Sequence, residues 1–507
     1  VLLLIACQDF SVEKLEPVLE NPDGGDTDPP EEVAADPGLE AAADTDAALE
    51  ESDAPLPEES PAEEPPPEEP PPEEPPATDT AVDTDLPPED TAVTPVVPPP
   101  VPPPVPPGLP ASCPAAPDPV LMAPCAPGVA AWNNNRTFAD LDNALRTSQP
   151  GDQVVVCPGS WRGPFQVPHE LNLIAADPTP GATILTGGGR DQVLLHQGGR
   201  LTLRGLSLRN GRTQNNGGAL ASSGDLLLEC MFLEDNEAGY GGGAISSSGS
   251  LVIRTTVLRN NTAGYEGGAI SSGGPLTLED SLLVGNHADY EGGAANVPNH
   301  ARIIRTTLRG NTADYGGGAL QFGTRSDFTL ELVDSVFEDN EASYEGGGIT
   351  FGTWAADTLV AERTIFRGNR APSGAAIEFG SWGAFAATLE DCTLVGNTNQ
   401  NGPALSAGGW LRQGGALTLT RTTFAGNESL QGFSAFNTNS RAAPIHVQAT
   451  DITVHRNQGA GSAFGLQAHD TMVCSGCDFG QGPDDNSPSD LTHGGTTRAQ
   501  VPANFQL

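Results

Sequence analysis

Apolar positions along this chain keep a fixed frame relative to a series of asparagines: Asn236, Asn261, Asn286, Asn311, Asn340, Asn369, Asn397, Asn427 and Asn457. Ten residues before them lie Leu226, Leu251, Leu276, Ala301, Leu330, Leu359, Ala387, Leu417 and Val447. Eight before lie Leu228, Ile253, Leu278, Ile303, Leu332, Ala361, Leu389, Leu419 and Ala449. Two columns two residues apart describe strands with one buried face. Three before lie Leu233, Leu258, Leu283, Leu308, Phe337, Phe366, Leu394, Phe424 and Val454, the start of a second short strand after a turn. The asparagines are 25 residues apart at first and 28–30 later. Each repeat thus predicts two or three short strands, tight glycine turns and no helix. Such a unit cannot bury its apolar face alone, and stacking buries it. The expected fold is all-β, a right-handed parallel β-helix over residues 113–470. Leucine-rich repeats share the length but place their leucines and asparagine in another frame.

Other columns fit the same register. Six positions before the asparagines, Asp280, Arg305, Asp334, Arg363, Asp391, Arg421 and Asp451 alternate in sign. Each charge is expected between two opposite ones, penalising a one-coil slip. The asparagines are expected to form a buried amide ladder, since a buried turn needs its polar groups satisfied. Before the first coil, 137–161 reads as a short amphipathic helix, a turn and a strand. Phe138, Leu141 and Leu145 share the helix face, and Thr137 is in place to cap it. This helix would cover an open sheet edge. Residues 471–507 read as a C-terminal cap or tail.

Composition divides the chain. Residues 8–112 have no apolar period and carry 29 Asp and Glu against one base, Lys14, out of a net charge of −43. Runs such as "PAEEPPPEEPPPEEPP" cannot bury enough apolar surface to fold, so a disordered, extended acidic and proline-rich stalk is expected. The acidity argues against nucleic acid as a partner. Lys14 is also the only lysine in the chain, which removes lysine chemistry from the folded region. The opening "VLLLIAC" is too short to span a bilayer. It reads as the end of a signal peptide, residues 1–7, with Leu4–Cys7 as a lipobox and Cys7 as the lipid attachment point. That places the protein in the bacterial cell envelope, as an outer-membrane lipoprotein or at the cell surface. Disulfides are then plausible. The local candidates are Cys113 with Cys125 and Cys474 with Cys477. The latter CxxC has no second pair for a zinc site.

"PGDQVVVCPGSW" and "LTLRGLSLRNG", with GGA[IL] and [FL]xxN as in "GGAISSSGSLVIRTTVLRNN", resemble right-handed parallel β-helix repeat proteins of bacteria. The repeats look like those of the chlamydial polymorphic outer-membrane protein family, which includes adhesins. The resemblance covers about residues 137–470 and implies adhesion or binding of glycan or another envelope component. Members of that family end in a membrane barrel, which the residues after the last coil are too few to form. The lipid would replace it.

An enzymatic alternative is a polysaccharide lyase or hydrolase. No motif set for either is present, the histidines share no spacing, and the acidic residues recur coil by coil, as scaffold does. No cofactor or metal is called for, although repeated carboxylates can hold Ca²⁺. One column does invite a ligand. All five tyrosines, Tyr240, Tyr265, Tyr290, Tyr315 and Tyr344, sit four residues after an asparagine, flanked by Glu266, Asp289, Glu291, Asp314 and Glu345. The first expectation is a structural aromatic ladder. The second is a ligand stripe in which ring faces and carboxylates bind sugar.

Overall fold

The structure is a computed structural model. It describes Cys125 and residues 129–507, except 135, 324–326, 353–355, 381–382, 408–412, 440–442, 482–484 and 499. Cys7, the 8–112 tract and Cys113 lie outside the described residues.

The repeats wind into a parallel β-helix. In the coil around Asn261 the strands are Leu251–Arg254, Val257–Arg259, Thr262–Ala263 and Ile270–Ser272. Each pairs in parallel, without offset, with the strand 25 residues further on. Propagated through the described residues, they build sheets of 16, 12, 10 and 14 strands, here called first to fourth in coil order. The three apolar columns line the interior: Leu251, Ile253 and Leu258 are wholly buried, as are their equivalents Ile303 and Leu308.

Four strands per coil exceed the two or three expected. The third is two residues long and buries only an alanine, such as Ala263 or Ala288. The fourth hides in the glycine motif, whose final apolar residue (Ile245, Ile270, Leu320, Ile349) enters the core. The double glycine before it has a steric cause. Gly267 has φ +64°, and a Cβ there would lie 2.1 Å from the Ile270 carbonyl oxygen. A Cβ on Gly268 would lie 2.1 Å from the carbonyl oxygen of Gly293 in the next coil. One glycine turns the chain and the other lets coils approach.

Where the repeat lengthens, the first-sheet strand grows from four residues (Ala301–Ile304) to six (Phe328–Val333). The wider coil needs larger filling. Phenylalanines take over, stacked coil on coil at 4.9 Å for Phe337–Phe366 and 4.7 Å for Phe351–Phe379.

The asparagine column is wholly buried and hydrogen-bonded. Asn261 Nδ2 donates to Asn286 Oδ1 at 2.9 Å and to the Leu233 carbonyl at 3.0 Å. Its Oδ1 accepts from Asn236 Nδ2 and from the Asn236 backbone N–H. The pattern runs through Asn457, which donates to Asn486 Oδ1, a further rung inside 471–507.

The alternating charge column differs from expectation. Its residues occupy left-handed corners, from Asp280 (φ 49°) and Arg305 (φ 46°) to Asp451 (φ 52°). They form pairs instead of a continuous ladder. Arg305 binds Asp280 through both guanidinium arms, Arg363 binds Asp334 and Arg421 binds Asp391, each reaching back one coil. Each of these guanidinium groups holds a second carboxylate as well, Glu279, Glu362 or Glu390, and so has little left to offer the aspartate of the next coil. Continuous alternation appears instead one position earlier, in Arg204–Glu229–Arg254–Glu279.

At the N-terminal end, Ala131–Asn133 pairs antiparallel with Gln153–Val156, and Arg136–Phe138 adds outside it. The helix is Leu141–Arg146 and buries Leu141, Ala144 and Leu145. It starts later than expected: Thr137 and Phe138 belong to a strand, and Asp140 caps the helix by accepting from the Asp142 N–H. At the far end Thr471–Ser475 continues the first sheet, and Phe505–Gln506 closes on it antiparallel. Cys474 and Cys477 are joined. Cys125 is bonded to Cys157, not to the expected Cys113. The pairing of Ala131–Asn133 with Gln153–Val156 carries Cys125 to the end of that strand, so the sheet selects the partner, not sequence proximity. Cys230 is also disulfide-bonded, and the buried Cys392 is free.

Candidate functional site: the tyrosine ladder and the carboxylate row

The five tyrosines lie at the turn between the third and fourth sheets, one per coil. Their ring centroids are 5.2, 5.0, 4.9 and 4.9 Å apart. The sheet spacing imposes this rise. Tyr290 and Tyr315 have a stacked ring on both sides. No sugar ring fits between rings so close, so the faces of the inner tyrosines are taken. Outward they offer edges and hydroxyls, while Tyr240 and Tyr344, at the ends of the ladder, are 55% and 56% exposed. Sugar stacking on the ring faces of the whole stripe, one of the sequence expectations, does not fit this geometry.

The acidic residues beside the tyrosines divide into two groups. Asp289 and Asp314, one position before the rings, are exposed and meet His287, with ligand atoms of all three within 4.8 Å. Both histidine nitrogens are engaged, Nε2 with Asp289 at 3.1 Å and Nδ1 with Thr312 Oγ1 at 2.9 Å. Glu266, Glu291 and Glu345, one position after the rings, turn inward. They stand on a column of parallel bridges that runs Gly241, Glu266, Glu291, Gly316, Glu345, Ser373.

This glutamate row faces the outward residues of the fourth sheet: Ser271, Asn296, Gln321, Thr350, Glu378 and Ser406. Several of these are buried although they point away from the core; Gln321 is 3% exposed and Glu378 5%. Glu266 accepts from Ser271 Oγ at 3.4 Å and Asn296 Nδ2 at 3.1 Å. Glu378 accepts from Ser373 Oγ at 2.8 Å and Ser406 Oγ at 3.1 Å. Glu291 and Glu345 have no side-chain hydrogen bond among the described residues, and no arginine or histidine forms an ion pair with any of the four.

Burial, the larger cause, together with repulsion from Glu266 and Glu345, pushes the Glu291 carboxyl up to about 7. Burial and then Glu345 push Glu378 up to about 7, against the pull of its two serines. Glu266 and Glu345 are raised as well, both through burial. The tyrosine hydroxyls of Tyr265, Tyr290 and Tyr315 are raised by burial and then by these glutamates. The flank is therefore a half-buried acidic trough with a phenolic rim.

Glu378 was not singled out from sequence. It lies in a fourth-sheet column whose members from Ser246 to Asn437 are otherwise Ser, Thr, Asn and Gln, and nothing local marks that column as covered. The available signal was a glutamate between Ile377 and Phe379, two core residues.

Compared with known protein families, curated proteins and solved structures, the chain matches none.

Proposed function

We propose that this chain is a lipid-anchored β-helix of the bacterial cell envelope, held by Cys7 and the acidic 8–112 tract. It acts without catalysis, in adhesion or by binding glycan or another envelope polymer. The resemblance to polymorphic outer-membrane protein repeats supports the class. The tyrosine ladder carries the binding reading: five phenol edges at one height on successive coils suit an extended polar polymer that repeats along the solenoid. Contact would come through hydroxyls and ring edges.

The test is co-sedimentation of the full chain with a panel of insoluble and cell-wall polysaccharides. A five-fold Tyr→Phe variant keeps the rings and removes the hydroxyls. Binding that drops at least about tenfold with unchanged folding supports the reading; unchanged binding, or no binding by the parent, defeats it. Separately, Cys7→Ser should move the protein from the membrane to the soluble fraction in bacteria that process lipoproteins.

One observation favours a second reading, a polysaccharide lyase or hydrolase. Glu345 and Glu378 approach from non-equivalent coil positions, and burial raises both, as a general acid requires. Release of reducing ends or unsaturated products from a polysaccharide, lost in Glu378→Gln, would replace the binding reading with this one.

A further inference from the structure

The glutamate column is interrupted once, at Gly316, between Glu291 and Glu345. Those two residues are therefore two coils apart, on the order of 10 Å along the axis. Gly316 brings no side chain of its own, and the position beside it is closely lined. A Cβ built on Gly316 would meet Gln321 Oε1 at 3.3 Å, Glu345 Cγ at 3.5 Å and Thr350 Oγ1 at 3.6 Å. Gln321 is 3% exposed, and its Oε1 has no hydrogen-bond partner. A buried amide oxygen with no donor calls for an explanation.

Hydrogen bonding along the row singles out the same place. Glu266 and Glu378, at the ends, each have two donors. Glu291 and Glu345, on either side of the gap, have none among the described residues. Of these three oxygen-bearing groups without donors, Gln321 and Glu345 line the position beside Gly316 and Glu291 stands on the preceding coil. A water could donate to Gln321 but would leave the two carboxylates repelling each other. A cation answers all three needs.

We propose that the space beside Gly316 is a divalent-cation site of the calcium class, with Glu291 and Glu345 as carboxylate ligands and Gln321 Oε1 as a neutral one. The donor set is all oxygen, which disfavours zinc. Two bonds of about 2.3–2.6 Å plus leaning glutamate side chains span a two-coil gap, and the variable geometry tolerated by calcium suits ligands from a turn and a strand better than the strict octahedron of magnesium. The exposed His287–Asp289–Asp314 group has no buried oxygen without a donor. The site stands whether or not saccharide binds the tyrosine edges.

The test uses the full chain in mildly alkaline buffer, which favours the ionised carboxylates a cation needs. Ca²⁺ should raise the melting temperature, and Tb³⁺ should emit on tyrosine excitation, because Tyr290 and Tyr315 directly precede Glu291 and Gly316. Gln321→Met and Glu345→Gln should each weaken Ca²⁺ at least about tenfold. Gly316→Ala should do the same by filling the space, and its backbone is not left-handed, so it guards against a folding failure in the other two. Asp314→Asn should change nothing. Absence of both Ca²⁺ stabilisation and sensitised Tb³⁺ emission overturns the site. So does binding that survives Gly316→Ala and Glu345→Gln, or binding that Asp314→Asn abolishes.

Discussion

A single asparagine shows how much one residue can carry here. Asn311 gives two hydrogen bonds, to Asn340 Oδ1 and the Leu283 carbonyl, and its Oδ1 receives two from Asn286. All are buried, so Asn311→Ala leaves partners unsatisfied in both neighbouring coils. The expected loss is roughly 3–5 kcal/mol, read by denaturant unfolding, with amide exchange rising first in the coils of Asn286 and Asn340. Tyr290 behaves oppositely. Tyr290→Phe should change stability by less than about 0.5 kcal/mol, whereas Tyr290→Ala, which opens the ladder between two rings, should cost about 1–2 kcal/mol in the same measurement. Both columns were legible in the sequence, because a residue type repeated at one frame position needs no three-dimensional knowledge. Gln321 and Glu378 were not. A polar residue at an outward strand position reads as solvated, and only the fold shows that a second row of side chains lies across it. Gly316 was visible as a glycine within the motif but not as the one vacancy in a carboxylate column.

At the scale of strands and corners, the same columnar logic was only partly readable. The Asp/Arg alternation was plain in the sequence, but its conformation was not: a left-handed corner disfavours most side chains, and arginines there gave no local warning. Pairing in twos also changes the expected energetics. Arg363 is 50% exposed at the side chain and holds Asp334 and Glu362. Arg363→Asp should therefore cost about 0.5–1 kcal/mol, less in high salt, partly offset because Asp tolerates a left-handed backbone better than Arg. The double reversal with Asp334→Arg should recover most of it, whereas equal loss at low and high salt would remove the ion pair as its cause. Glu234 is the contrasting case, on the second sheet. Its side chain is 3% exposed and bridges Arg209 at 2.9 Å and Arg259 at 2.8 Å. Glu234→Ala removes the buried carboxylate shared by two partly exposed guanidinium groups and should cost about 1.5–3 kcal/mol, with less salt dependence than at Arg363. Exposure, not distance, sets the order of the two effects.

Across the whole solenoid, like residues stack, and the glutamate row turns that regularity into a pH dependence. Carboxyls in separate coils would titrate near 4.5 when the chain is unfolded. In the folded protein Glu291 and Glu378 titrate at about 7, and Glu266 and Glu345 are also raised. The folded state thus holds protons that the unfolded state has released, and stability from this row is full below about pH 4.5 and is lost as pH rises through about 7. Carboxylates with lowered pKa act in the opposite sense: Asp391, beside Arg421, and Asp152, bonded to the Gln149 N–H, favour folding until acid protonates them. The two sets produce a maximum in mildly acidic solution. Glu378→Gln isolates the row, because glutamine mimics the protonated carboxyl near Ser373 and Ser406 and cannot ionise. Between pH 5.5 and 8 the parent should lose more stability than this variant, by roughly 1–3 kcal/mol, measured by denaturant unfolding at each pH. A parent no more pH-sensitive than Glu378→Gln would mean that the row is solvated and unstrained. Calcium supplies the complementary arm: if it sits between Glu291 and Glu345, it replaces the lost protons, so added Ca²⁺ should flatten the alkaline side of the parent's profile and act less at pH 5.5, where Glu291 holds its proton.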